Sequence, residues 1–230
     1  MYQKIVKMMN KSLISALIIS FLPVFLSGQD NDFGVWGTLK GKHNFNKHLE
    51  AGVSVVLRTA ENASKAEQYS GEFNLGYNFN DYFSLGASYR AINKLEKDER
   101  YYFSQRLYLI IKGTLPIGRF EFSGRLMYQK TLLTYFEDEN DPLSKHYARI
   151  KLKADYDSKS SPLRPFISWE PFMPLSGDPD YKIEKSRYSA GTELQISRRS
   201  SFEISYIFED KTKITKTDMH IISLSYELEF

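Results

Sequence analysis

The sequence predicts an all-β fold, a membrane-spanning antiparallel up-and-down β-barrel of about ten to twelve strands. Three observations predict this fold. Apolar and polar residues alternate over the last residues, His220 to Phe230, and the sequence finishes on an aromatic residue. Similar alternating segments, separated by turn residues, recur through most of the chain. The connections between these segments are alternately short and long, as they are in bacterial outer-membrane barrels.

The N-terminal segment has the composition of a secretory signal peptide. Lys4, Lys7 and Lys11 precede an apolar run over residues 12–27 that ends in small residues. This run is too short for a transmembrane helix. We therefore expect residues 1–28 to be removed by cleavage near Ser27 to Gln29, and residues 29–230 to form a single barrel domain. The expected location is the outer membrane of a Gram-negative bacterium, reached by export across the inner membrane.

The overall charge does not indicate a nucleic-acid partner. The chain has 31 Lys and Arg residues and 28 Asp and Glu residues, and three of the basic residues lie in the predicted signal peptide, which leaves 28 of each sign. The two signs are interspersed along the chain and do not form blocks. The sequence contains no cysteine, which excludes disulfides and a lipid attached to an N-terminal cysteine.

Eleven segments show the period-two alternation that is typical of strands with two different faces. The first segment, around Phe33 to Phe45, has the weakest alternation. Because bacterial single-chain barrels normally have an even number of strands, we expect ten or twelve, with a slight preference for twelve, or a first segment that lies in the lumen. The apolar stripes of the other segments begin at Leu49, Phe73, Phe83, Leu107, Phe120, Ala148, Leu163, Tyr188, Phe202 and Ile222.

The connections predict which end of the barrel faces the periplasm. A C-terminal strand of this kind ends in the periplasm, so the short turns are expected there and the longer, charged loops are expected to face outward. The predicted short turns are Asn80-Asp81, Pro116-Ile117-Gly118, Ser158 to Pro162 and Ser197 to Ser201. The predicted longer loops are residues 59–66, 93–100, 137–144, 174–184 and 210–217.

The face opposite each apolar stripe carries charged residues interleaved with glycine and serine. In a membrane barrel this face lines the lumen, where large charged side chains need small neighbours. A soluble barrel would show the same period with its apolar face inside, so the alternation alone does not distinguish the two. The candidate lumen residues are Arg58, Arg106, Arg125, Arg149, Glu170 and Arg187.

The five candidate arginines allow two interpretations. In the first, they form a cationic constriction that selects anions, as rings of charged side chains do in pores. In the second, which we favour, they form ion pairs that fill a narrow lumen, because an unpaired buried charge is costly. The partners expected in the second interpretation are Glu50, Glu72, Glu170 and Glu193.

Several short segments carry a resemblance to a known family. They are Trp36 to Arg58, Arg164 to Glu170, Arg187 to Gly191, and the late His220 in the last strand. Together they resemble an outer-membrane barrel family of Bacteroidota that is catalogued as domain of unknown function 2490. The resemblance covers nearly the whole chain after the predicted signal peptide. It implies an outer-membrane location and a barrel fold, and it supplies no established activity.

His220 raises the alternative of an outer-membrane enzyme that modifies lipids. A catalytic base needs a nucleophile or an activated water within hydrogen-bond reach. Ser223 and Ser225 lie further along the same strand on its opposite face. The remaining histidines, His43, His48 and His146, do not have the spacing of a metal site. We therefore assign no catalytic, cofactor-binding or metal-binding residues and favour a protein that is not an enzyme.

The sequence thus favours a porin-like function, a narrow pore or transport-type barrel for small polar solutes with a charged Arg/Glu lumen. The alternative is a structural or adhesive barrel whose lumen is filled by salt bridges, and a lipid-modifying enzyme is less favoured. The expected partners are outer-membrane lipid, lipopolysaccharide and the barrel assembly machinery, which the C-terminal strand would contact. No cofactor and no nucleic acid are expected, and the oligomeric state is left open.

Overall fold

The computed structural model describes residues 31–96, 98–135, 144–158, 161–176, 182–212 and 217–230. The predicted signal peptide, residues 1–28, lies outside the described residues, and so do parts of the predicted loops 93–100, 137–144, 174–184 and 210–217. Within the described part of the chain, no helix is long and apolar enough to cross a membrane.

Eleven β-strands, all within the described residues, form one closed barrel. Each strand pairs antiparallel with the next one along the chain, and the first and last strands close the barrel by pairing in parallel. The strands are β1 (Asp32–Asn44), β2 (Leu49–Ala60), β3 (Lys65–Asn80), β4 (Phe83–Leu95), β5 (Tyr101–Ile117), β6 (Phe120–Leu133), β7 (Ser144–Tyr156), β8 (Leu163–Pro174), β9 (Lys185–Ser197), β10 (Ser200–Lys211) and β11 (Met219–Glu229).

The expected even number of strands, ten or twelve, is wrong, and the eleven segments of the sequence pattern correspond to the eleven strands that the described residues form. The weak first segment lies in the barrel wall and not in the lumen, because Trp36 is the register partner of both Arg58 in β2 and Ser223 in β11. An odd number closes the barrel because β1 and β11 run in the same direction. Their parallel ladder extends from the pair Asp32 and Met219 to the pair Lys42 and Glu229.

The exterior of the barrel is apolar and its interior is polar. Large apolar side chains of the predicted stripes are exposed on the outside, among them Val55, Leu109 and Ile167, which are 64%, 61% and 65% exposed. Alternate residues on the same strands point inward, and Arg149 and Glu170 are buried there. This orientation is that of a membrane barrel and the opposite of a soluble one.

The two ends of the barrel differ in the length of their connections, as the sequence predicts. We call them the short-turn end, with the described residues 45–48, 81–82, 118–119, 157–158, 161–162 and 198–199, and the long-loop end, with the described residues 61–64, 96, 98–100, 134–135, 175–176, 182–184, 212 and 217–218. One predicted loop, residues 59–66, is wrong, because β2 and β3 continue to a tight turn at residues 61–64. Glu61, Asn62 and Ala63 adopt positive φ angles of 52°, 56° and 63° in this turn. The polar residues Glu61, Asn62 and Ser64 that suggested a longer loop lie in this four-residue turn.

Candidate functional site

The lumen contains two polar cavities that follow one another along the barrel. The long-loop chamber, of about 550 Å³, is lined by residues near the long-loop end such as Lys94, Tyr135 and Lys211. The short-turn chamber, of about 390 Å³, is lined by residues such as Lys42 and Glu227 from the other half of the barrel. Both chambers are lined by Trp36, Arg58, Glu72 and Arg90, which we call the dividing layer.

The structure brings the six predicted lumen residues together. Arg58, Arg106, Arg125, Arg149 and Arg187 all line the long-loop chamber. Glu170 contacts Arg125 and Arg149 and is only 6% exposed. They come from β2, β5, β6, β7, β8 and β9, and each stands on the inward face because inward and outward residues alternate along every strand.

Glu170 holds the first of two charged clusters. Its Oε1 accepts hydrogen bonds from Nη2 of Arg125 and from Nη2 of Arg149, each at 2.8 Å. Arg149 also donates from Nη1 to Oε1 of Gln129 at 2.9 Å, and its guanidinium lies 4.2 Å from the ring centre of Phe172. One carboxylate therefore fixes two guanidinium groups from neighbouring strands in charge-assisted hydrogen bonds.

Glu209 holds the second cluster, which the sequence analysis did not predict. Its Oε2 accepts a hydrogen bond from Nε of Arg187 at 2.6 Å and lies 3.2 Å from Nζ of Lys185. Its Oε1 lies 3.9 Å from Nζ of Lys211. Lys211 falls within the predicted loop 210–217, but it belongs to β10. The signal for these residues was the alternation of β10, which continues past Ser205 through Glu209 to Lys211 on the inward face.

The dividing layer combines an ion pair with stacked rings and cations. Nε and Nη2 of Arg90 both contact the Glu72 carboxylate. The guanidinium of Arg58 lies 4.0 Å from the ring centre of Trp36, and that of Arg187 lies 4.8 Å from the same ring. Trp36 is buried with Met219 and Ile221, so its ring is held at the wall by apolar neighbours while cations contact it.

The glutamates expected to pair with arginines divide into two groups. Glu72 and Glu170 contact arginines as described. Glu50 instead lies 2.8 Å from Nζ of Lys42, and among the described residues no arginine lies within ion-pair distance of Glu193. The sequence does not distinguish these two groups, because an ion pair depends on which residues of adjacent strands lie at the same height in the barrel.

Two lumen arginines have no acidic partner among the residues that the structure describes. No carboxylate of the described residues lies within ion-pair distance of Arg58 or Arg106. Nε of Arg106 donates to Oγ1 of Thr131 at 3.0 Å. Nε of Arg58 is buried and has no hydrogen-bond partner among the described residues. Both guanidinium groups therefore keep donors for a ligand or for water in the chamber.

The histidines of the described strands lie near the barrel exterior and the barrel ends. Nδ1 of His220 contacts the hydroxyl of Tyr206, and the His220 ring packs 5.3 Å from the ring of Phe208 on the outer face. Ser223 is on the opposite face of β11, as expected. His146 contacts Oγ of Ser144 and the hydroxyl of Tyr128, at 3.0 Å and 2.6 Å. In the part of the chain that the structure describes, no three His, Cys, Asp or Glu residues are grouped so that they could hold a metal ion.

Residues 33–220 match the family described as "Protein of unknown function (DUF2490)". No curated protein matches the sequence.

Three solved structures with 9–14% sequence identity partly match the fold of this chain. The NanC porin in a rhombohedral crystal form has a TM-score of 0.49 and 10% identity, with 82% of this chain and 95% of that chain covered. The outer-membrane expressed OmpT of Vibrio cholerae has a TM-score of 0.40 and 14% identity, with 71% and 55% covered. The beta domain of the Bordetella autotransporter BrkA has a TM-score of 0.42 and 9% identity, with 77% and 78% covered.

Proposed function

The chain belongs to the DUF2490 family of proteins of unknown function, and we propose that it is an outer-membrane barrel that forms a narrow pore for small polar solutes. The observation that carries this proposal is the pair of polar chambers, which adjoin across a single layer of side chains inside a barrel with an apolar exterior. The long-loop end faces the outside of the cell in this proposal and the short-turn end faces the periplasm. The apolar exterior contacts membrane lipid, lipopolysaccharide adjoins the long loops, and β11 engages the assembly machinery.

The exterior supports the membrane location. Aromatic rings pack together near both ends, as Tyr69 and Tyr101 do at 5.5 Å near the long-loop end and Phe120 and Tyr156 do at 5.2 Å near the short-turn end. Aromatic girdles at this position are typical of barrels whose ends lie at the two membrane interfaces. A hollow of about 960 Å³ on the outer surface is lined mainly by apolar side chains such as Leu152 and Trp169. Such a surface is suited to acyl chains and not to water.

A charge placed on the exterior tests this location. Leu109 lies near the middle of β5, and Ile117 lies at the short-turn end of the same strand and on the same face. We expect Leu109→Arg to lower the free energy of unfolding from lipid vesicles by about 2–4 kcal/mol, and Ile117→Arg by about 1 kcal/mol or less, because the cost of an outward charge depends on its depth in the bilayer. Chemical denaturation of protein folded into phosphatidylcholine vesicles measures both.

Comparison of the Leu109→Arg and Ile117→Arg variants makes the test specific to the membrane. Both side chains are strongly exposed, at 61% and 56%, so a barrel surrounded by water would tolerate either arginine equally well. Equal free energies of unfolding for the two variants would contradict the membrane location.

The pore itself is tested at the dividing layer. Wild-type protein in planar bilayers is expected to give small, discrete conductance steps. Trp36→Ala should enlarge the steps several-fold, because Trp36 is the bulkiest side chain between the two chambers. The control is Trp169→Ala, which removes the chain's other tryptophan from the outer face and should leave the conductance unchanged. Bilayers that stay silent with folded wild-type protein would overturn the proposed pore.

A structural or adhesive barrel with a filled lumen is the second candidate. The clusters around Glu170 and Glu209 favour it, because each fixes two or three cationic side chains across the interior. It predicts a folded wild-type protein that does not conduct. The same bilayer experiment therefore separates the two candidates.

A further inference from the structure

The long-loop chamber has a strong excess of positive charge. Ten of its lining residues are Arg or Lys, whereas four are Glu. Glu170 and Glu96 lie outside the lining and contact lining cations, Glu96 at 2.9 Å from Nζ of Lys94. The cations still outnumber the acids when these two are included. This excess is local, because the sequence after the predicted signal peptide has equal numbers of basic and acidic residues.

The excess remains after the ion pairs are assigned. Glu72 forms an ion pair with Arg90, and Glu170 forms ion pairs with Arg125 and Arg149. Glu209 forms ion pairs with Lys185, Arg187 and Lys211. Arg58 and Arg106 are left without a carboxylate among the described residues. Two guanidinium groups without an ion-pair partner among the described residues therefore line the same small cavity.

Such an arrangement favours an anionic ligand. Like charges held in a narrow, partly desolvated space repel one another, and a ligand that brings negative charge relieves this repulsion. Guanidinium groups present paired donors that fit carboxylate, phosphate and sulfate oxygens. The chamber volume of about 550 Å³ suits a small organic molecule, not a polymer.

We propose that the long-loop chamber binds a small polar solute with two negative charges carried by carboxylate, phosphate or sulfate oxygens, with Arg58 and Arg106 as its principal contacts. This inference rests on the proposed pore for the route by which the solute reaches the chamber. Arg125, Arg149 and Arg187 keep their acidic partners and contribute long-range attraction. The chamber thus concentrates dianions next to the dividing layer.

Trp36 provides a direct readout of binding. Its ring lies 4.0 Å from the guanidinium of Arg58, so a ligand that engages Arg58 changes the surroundings of the indole. Trp169→Phe leaves Trp36 as the only tryptophan, because the chain contains two. We expect glucose 6-phosphate and inorganic sulfate to change the fluorescence of this variant saturably in detergent micelles at constant ionic strength. Glucose, which matches the first probe without its charge, should cause no change.

A second substitution assigns the response to the chamber. Arg106→Gln in the same background should weaken glucose 6-phosphate binding about tenfold, as loss of one charge-assisted hydrogen bond does. Arg106 donates to Thr131, whereas the cations over the Trp36 ring are Arg58 and Arg187, so the substitution preserves the reporter. Arg119→Gln is the control, because Arg119 is exposed at the short-turn end and donates to the hydroxyl of Tyr156 at 3.2 Å. It should bind as the parent does.

The outcomes separate this inference from the proposed pore. A response that does not saturate, or equal binding by the Arg106→Gln and Arg119→Gln variants, would overturn the dianion site. Conductance without binding would overturn the dianion site and would still support the proposed pore. Saturable binding without conductance would support the site while it overturned the pore.

Discussion

Oxidation of a variant that carries both Val35→Cys and Ile222→Cys is expected to join β1 to β11 by a disulfide. These residues are directly opposite one another in the parallel ladder that closes the barrel. Neighbouring strands lie about 4.8 Å apart, which is within the range of Cα separations that a disulfide spans. The chain has no cysteine of its own, so only the introduced pair can react within one molecule. The oxidised and denatured chain should migrate as a compact loop in an electrophoresis gel.

A second pair of substitutions tests the direction of the strands. Val35→Cys combined with Tyr226→Cys separates the two sites by several residues, because Tyr226 is opposite Leu39 in the parallel register. This variant should form no intramolecular disulfide in the folded state. Cross-linking of residues 35 and 226 but not of residues 35 and 222 would show that the seam is not parallel, and would restore the even-numbered barrel that strand parity favours.

Glu170→Gln is expected to lower the free energy of unfolding by about 3 kcal/mol, because removal of one partner leaves buried charges without compensation. Glu170 is 6% exposed and Arg149 is 9% exposed, and both arginines of the cluster contact the same carboxylate oxygen. The glutamine keeps the shape and loses the charge, so the effect reports electrostatics and not packing. Guanidinium unfolding from lipid vesicles, followed by tryptophan fluorescence, measures it.

Glu121→Gln is the matched control for this substitution. The side chain of Glu121 is 41% exposed and lies 3.8 Å from Arg164 near the short-turn end. Ion pairs as exposed as this one contribute about 1 kcal/mol or less. If the two substitutions had the same small effect, the Glu170 cluster would be fully solvated and its arginines would not depend on the carboxylate.

Alternation along each strand made most of the wall predictable. Val55, Leu109 and Ile167 belong to stripes that the sequence shows directly, because successive side chains of a regular strand point to opposite faces of the sheet. The same rule placed Arg58, Arg106 and Arg125 on the opposite face. Strand ends were less predictable, because lumen-facing polar residues such as Glu67 and Lys211 have the composition of loop residues.

The number of strands is the point at which a general rule about barrels gave a wrong prediction. The sequence pattern contains eleven segments, and the parity of known barrels argued for ten or twelve. Whether Trp36 and its neighbours form wall or plug depends on hydrogen bonds to β2 and β11. These bonds connect segments from the two extremes of the barrel, and no local pattern records them.

The sequence by itself determined the alternating strands, the two faces of each strand, the difference between short and long connections, and the residues available to the lumen. The tertiary structure decided which face is outside, the parallel seam, and the partner of each charge. The pairs Glu209 with Arg187 and Glu170 with Arg149 follow from the stagger of neighbouring strands in a closed barrel, and so does the lack of a described carboxylate next to Arg58. Stagger is set by the whole ring of strands together, since each register must be compatible with every other for the barrel to close.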